Sequence, residues 1–230
     1  MKLFYAQGAC SLAVHIMLEE LGNEYQSVKV SLQDKSVLSQ YNPLGYVPVL
    51  VLDDNTIMTE ATCLLQYLSA TNDFAFMPKT LQERYECIEW LTFISTEMHK
   101  TAAPLFHKDV VSEGYLKFTE EKIGTRLDFL EKRLKENAFI MGDTYTVADM
   151  YALAILRIYD HLGISLDPYP SILNLKKELE ESTLIKKIIE FEANDTLITE
   201  PDDIKQSRSQ DSLSSISSRP DEESGTFSPI

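Results

Sequence analysis

The chain has 230 residues, 44% hydrophobic and 25% charged, a balance that suits folded globular protein and allows two small cores or one large one. A formal net charge of -15 argues against nucleic acid and anionic membrane as partners, and it obliges any anionic ligand to find a local positive site. No stretch approaches the roughly 20 uncharged apolar residues of a membrane span, and Met1-Lys-Leu-Phe-Tyr-Ala6 lacks the apolar core of a secretory signal, so a cytoplasmic protein is expected.

Lys2 to Ala6 reads as a short strand, Gln7-Gly8-Ala9 as the turn after it, and Ser11 to Leu21 as a helix stopped at Gly22. Glu24 to Ser31 alternates around Tyr25, Val28 and Val30 as a second strand, and the polar run Gln33 to Tyr41 has room for a short helix. Asn42 to Pro48 is a loop by its Pro and Gly content. Val49 to Leu52 is then a buried strand, Asp53-Asp54-Asn55 a hairpin turn, Thr56 to Thr59 the returning strand and Glu60 to Ala70 a helix. The order βαβ, loop, ββα fits a thioredoxin-like domain, although other small α/β folds share it.

Residues 73–80 read as a linker, and the chain from there to about residue 192 reads as helical. Tyr85, Ile88, Leu91, Ile94 and Met98 form one apolar stripe, and Leu116, Ile123, Leu127, Leu130 and Leu134 form another, so an antiparallel bundle is predicted. Thr146-Val-Ala-Asp149 has the spacing of a capping box that opens the next helix. The last 30 residues hold nine serines and few apolar groups, too few to offset the entropy of ordering them. The expected division is therefore an α/β domain over 1–78, an all-helical domain over 79–195 and a disordered serine-rich tail over 196–230.

The chemistry-bearing residues concentrate at element ends. Cys10 stands at the turn into the first helix, where free amides and the helix dipole lower a thiol pKa; it reads equally as a small side chain buried in that turn. Cys63 and Cys87 lie in apolar helical segments and are expected to pack, and the three cysteines have neither disulfide nor zinc spacing, so no metal is expected. Val47-Pro48 precedes a central strand, the place for a cis bond that presents the Val47 backbone to an extended thiol peptide, or for an ordinary trans-proline. Glu60-Ala61 opens a helix with free amides and a carboxylate, which can hold an amino acid's two charged groups or simply balance the dipole. Glu89, Thr92, Thr96 and His99 form a polar stripe that faces either a cleft or solvent. His107 is expected to be exposed, and His15 and His161 to be structural.

Met1-Lys-Leu-Phe-Tyr-Ala-Gln-Gly-Ala-Cys10-Ser-Leu-Ala, Asn42-Pro-Leu-Gly-Tyr-Val-Pro48, Thr59-Glu60, Ile88-Glu-Trp-Leu91 through Glu97-Met-His99-Lys100 and Tyr145-Thr-Val-Ala-Asp149, taken in order, resemble the beta class of bacterial glutathione transferases over roughly residues 1 to 190. The resemblance implies the glutathione transferase fold, a thioredoxin-like N-terminal domain followed by an all-helical C-terminal bundle, in a homodimer. It implies that Cys10 and His99 face the glutathione sulfur and that Val47 pairs with the cysteinyl backbone of glutathione beside a cis-Pro48. It also implies that Glu60 and the Ala61 amide hold the γ-glutamyl end, that Lys35 approaches the glycyl carboxylate, and that Thr96 and Lys100 border the site.

The sequence departs from that pattern at Gln7, where proline is common, at Ala61, where serine is common, and at Thr92, where asparagine is usual. It also lacks an Arg-Pro in Glu181-Ser-Thr-Leu-Ile-Lys186. The function expected is conjugation of glutathione, a co-substrate with no other cofactor, to small electrophiles, together with thiol transfer through a Cys10 mixed disulfide. The alternative is a non-enzymatic binding or regulatory protein of the same fold that uses its tail for interaction.

Overall fold

Strand β1 (Lys2–Tyr5) alternates Leu3 and Tyr5 into one core cluster with Phe4 into another, as a strand buried on both faces must. The computed structural model describes residues 1–199. β1 pairs in parallel with β2 (Gln26–Lys29), Tyr5 opposite Lys29, and antiparallel with β3 (Val49–Val51), Phe4 opposite Val49. β4 (Ile57–Thr59) returns antiparallel to β3, giving the order β2-β1-β3-β4. The parallel pair and the hairpin are those expected from the sequence. Helices α1 (Leu12–Glu20) and α2 (Ala61–Ala70) share the core cluster of Leu3, Tyr5 and Leu50 on one face of the sheet. The other face is closed by Val30, Val37, Leu38 and Val47. The polar run before that loop yields only a short 3-10 turn, Leu38–Gln40.

Helix α3 (Leu81–Phe93) begins at Thr80, whose hydroxyl accepts from the Glu83 amide at 3.2 Å. It runs on through a π-helical turn, Ile94–His99, and a 3-10 stretch, Lys100–His107, that contains Pro104. Then follow α4 (Glu113–Leu134), α5 (Val147–Leu162), α6 (Pro170–Glu181) and α7 (Thr183–Asn194). α5 is the central rod: nearly every residue from Val147 to Tyr159 is buried, and it packs on α1, so both parts of the chain share one core cluster. The Asp149 carboxylate fixes its start by accepting from the Thr146 amide, the Thr146 hydroxyl and the Ile140 amide, each at 2.8 Å. Burial pushes this carboxyl up to about 6 despite those bonds.

Two sequence expectations need correction here. The stripe on α3 holds at Leu91, Ile94 and Met98, which are buried, and fails at its start, where Tyr85 is 65% exposed and Cys87 takes the side that faces α5. Cys63 is exposed rather than packed, since α2 turns Ala61, Leu64, Leu65 and Leu68 inward and leaves position 63 on the far side. Cys87 is buried as expected.

The end of α7 is fastened to the sheet. The Tyr5 hydroxyl donates to Asp195 Oδ2 at 2.6 Å, His15 Nδ1 meets Glu192 Oε1 at 2.9 Å, and Lys29 Nζ donates to the Glu192 carbonyl at 2.6 Å. Leu197 then bridges Lys29 in parallel, the Ile198 amide donates to the Lys29 carbonyl at 2.8 Å, and Ile198 is buried. The boundary expected at 195 therefore falls short, because residues 196–199 cover the outer edge of β2 and Ile198 fills the core beneath it. The remainder of the expected tail, 200–230, lies outside the described residues. Among the described residues no helix is long and apolar enough to cross a membrane.

Candidate active site

The registers of the sheet bring the end of β1, the start of β3 and the end of β4 to one edge. Ser11 shapes the turn there, its Oγ accepting from the Ala6 amide at 3.2 Å and donating to the Ala6 carbonyl at 3.3 Å. Cys10 sits in that turn, and its thiol donates to the Val47 carbonyl at 3.5 Å. The Val47-Pro48 bond is cis.

Cys10 does not have the lowered pKa that its turn position suggests. Burial pushes the thiol up to about 12, the Glu60 carboxylate adds to the rise, and its own backbone amide pulls only partly the other way. Desolvation of an anion outweighs the partial charge of one helix end. Cys10 is thus a neutral thiol near pH 7.

Glu60 precedes α2 with φ 69° and ψ 114°, a region that penalises any side chain. Ala61, the first residue of α2, is buried, so its amide and not its side chain is what this helix end offers a ligand.

His99 closes the π turn, and its Nδ1 lies 3.3 Å from the Tyr151 hydroxyl of α5. Burial, with the Lys100 ammonium beside it, pushes His99 down to about 4, which leaves a neutral imidazole at physiological pH. Burial holds the Tyr151 phenol well above the ordinary range, the Cys10 thiolate of alkaline pH and the Glu60 carboxylate add to the rise, and the neighbouring Ser95 hydroxyl offsets part of it. Tyr151 is therefore the side chain whose surroundings include Cys10, Glu60 and His99 together.

Sequence reasoning passed over Tyr151 as one more residue of an apolar helix. The available signal was its hydroxyl: a buried tyrosine has to find a polar partner, and α5 around it is apolar from Ala152 to Leu156. Along the rest of the polar stripe the Thr92 and Thr96 hydroxyls donate to the carbonyls one turn back, Ile88 and Thr92, at 2.8 and 2.9 Å, and both side chains are exposed. Lys100 is exposed next to His99. Lys35 lies across Gly45, where an added Cβ would come within 2.4 Å of its stem, and its ammonium reaches the Leu44 carbonyl at 3.4 Å and the Tyr46 ring at 4.8 Å. Glycine at 45 thus makes room for the one lysine of that loop.

A thiol at a strand-to-helix turn, a cis-proline before a sheet strand and a helical domain packed over both define a class of glutathione-using enzymes. The comparisons agree: the family model for the glutathione S-transferase N-terminal domain matches residues 8–74 and that for the C-terminal domain matches residues 93–182. Glutathione S-transferase GstA of Escherichia coli O157:H7 is 40% identical over 164 residues, covering 68% of this chain and 81% of the relative. Among solved structures, a bacterial beta-class glutathione S-transferase of Sphingomonas chungbukensis is 32% identical with a TM-score of 0.77, covering 84% of this chain and 98% of its own. A sphingomonad glutathione S-transferase solved in complex with glutathione is 30% identical with a TM-score of 0.79, covering 84% of this chain and all of its own.

The chain belongs to the glutathione S-transferase family. It is a transferase, which sets aside the binding-protein alternative.

Proposed function

We propose that the chain conjugates glutathione to small electrophiles in the cytoplasm and that thiol transfer through Cys10 is a minor activity at neutral pH. The observation that supports this reading is the convergence of the Cys10 thiol, the Val47 backbone, Glu60 and the His99–Tyr151 pair at one edge of the sheet. Glutathione lies extended across that edge. Its γ-glutamyl ammonium meets Glu60, its γ-glutamyl carboxylate meets the Ala61 amide, its cysteinyl backbone pairs with Val47 beside Pro48, and its glycyl carboxylate faces Lys35. Thr96 and Lys100 border the far side.

Conjugation needs the thiolate of glutathione, not of the protein. The glutathione thiol gives its proton to solvent; with the Tyr151 hydroxyl donating to Nδ1, His99 carries its own proton on Nε2 and donates a hydrogen bond from there to the thiolate, stabilising it until it attacks. Thiol transfer needs ionised Cys10 instead. Burial holds that thiol far above neutral pH, so its thiolate is scarce at pH 7 and the mixed disulfide forms slowly.

The domains are taken as 1–78 and 79–199, and the active species as a homodimer. Support for the dimer is an aromatic patch at the surface, Phe129, 53% exposed, stacked on Trp90 at 5.2 Å with Phe93 beside both. Titration calorimetry with glutathione, followed by conjugation to an activated aryl halide, tests the proposal. Binding with turnover is expected, and absence of binding overturns it.

A further inference from the structure

We propose that Tyr159 of α5 is a positioning residue for His99, acting through the backbone of the π turn, with Arg126 of α4 as its counterpart on the outer side. This rests on the reading that His99 serves the glutathione sulfur. A π turn carries one residue more than the α-helix around it, and such insertions persist where tertiary contacts hold them. Had the segment kept α geometry, every side chain beyond the insertion would be turned by about 100° around the helix axis. His99 would then leave the Tyr151 hydroxyl and the edge of the sheet that holds Cys10.

Two contacts hold the turn from opposite sides. Inside, the fully buried Tyr159 hydroxyl donates at 3.0 Å to the carbonyl of Met98, the residue next to His99. Outside, Arg126 donates to Glu97 Oε2 from Nε at 3.0 Å and from Nη2 at 2.5 Å. Helix α5 therefore grips His99 twice: Tyr151 bonds the ring, and Tyr159, about 12 Å further along the helix axis, bonds the adjoining peptide. Among the described residues the Tyr159 hydroxyl bonds Met98 and no hydrogen bond, ring contact or charge interaction joins Tyr159 to Cys10, Val47 or Glu60, so its effect on chemistry has to pass through the turn.

The test is a double-mutant cycle in the full chain with Tyr159→Phe and His99→Ala, reading kcat and KM for glutathione in conjugation. Tyr159→Phe should lower kcat about fivefold, equivalent to about 1 kcal/mol of barrier, with KM for glutathione changed less than about twofold. In the His99→Ala background the same change should have no further effect on kcat. An equal loss in both backgrounds, or no loss in the parent, overturns the inference while leaving the glutathione site in place. If His99→Ala alone leaves kcat unaltered, the reading of His99 fails and the inference falls with it. Should Tyr159→Phe not fold, Glu97→Gln at the half-exposed outer clamp decides by the same criterion, with an expected loss of about twofold.

Discussion

The Tyr151 hydroxyl and His99 Nδ1 meet at 3.3 Å although 52 residues separate them in the chain. That pairing fixes which nitrogen of His99 is free to face a ligand. Tyr151→Phe should therefore lower kcat/KM for conjugation about fivefold while leaving the affinity for glutathione close to that of the parent, since the phenol touches the imidazole and not the peptide. Steady-state kinetics beside calorimetry separates the two quantities. A loss of affinity equal to the loss of rate would place Tyr151 in ground-state binding instead.

Burial pushes His99 down to about 4 from the ordinary 6.5, so the imidazole stays neutral across the physiological range. A folded-state pKa below the unfolded one means that the neutral form contributes stability above about pH 6.5, and that this contribution is lost as pH falls through 6.5 toward 4. The imidazole resonances of His99 should not titrate near pH 6.5 in a proton NMR series. A midpoint there would mean that His99 is solvated and ordinary.

Cys63 is exposed and Cys10 is buried with its thiol pushed up to about 12. Peptide mass mapping after iodoacetamide at pH 7.5 should find Cys63 alkylated first and Cys10 slowest of the two, with the Cys10 rate rising about tenfold per pH unit through the alkaline range. Rapid alkylation of Cys10 at pH 7.5 would restore disulfide exchange as the main activity.

Glu60 has a backbone conformation that costs on the order of 1–3 kcal/mol for a residue with a side chain. Glu60→Gly should keep or slightly raise the melting temperature while weakening glutathione about 10- to 100-fold, the loss expected for a charged hydrogen bond. The same change removes a carboxylate that raises the Cys10 pKa, so the thiol should ionise at lower pH. A destabilised variant with unchanged affinity would contradict both the strain and the role.

Residues 195–199 hold the end of α7 to the sheet through Tyr5 and the β2 edge. A chain ending at Asn194 should be about 2–4 kcal/mol less stable than one ending at Thr199, because it loses a buried isoleucine and leaves the Tyr5 hydroxyl without its carboxylate. Urea melts of the two decide it, and equal midpoints would make the strap superfluous.

Much of this protein is legible without coordinates, because the signals involved are local. The strand of Lys2 to Tyr5 followed by the Cys10 turn, the Val47-Pro48 loop and the Thr146–Asp149 box all depend on neighbours a few residues apart, and the structure forms each of them. What the tertiary structure alone decided depends on groups distant in sequence and on how deeply they are buried. Helix position argues for an acidic Cys10, yet the weight of protein packed around the thiol reverses the sign. The residues after Asn194 are too few and too mixed to read as structured, but an open strand edge made elsewhere in the chain gives Ile198 a core to enter. A π turn has no pattern that periodicity detects, so by periodicity alone His99 is one more residue of a polar stripe, and its partner Tyr151 is visible only once α3 and α5 lie side by side.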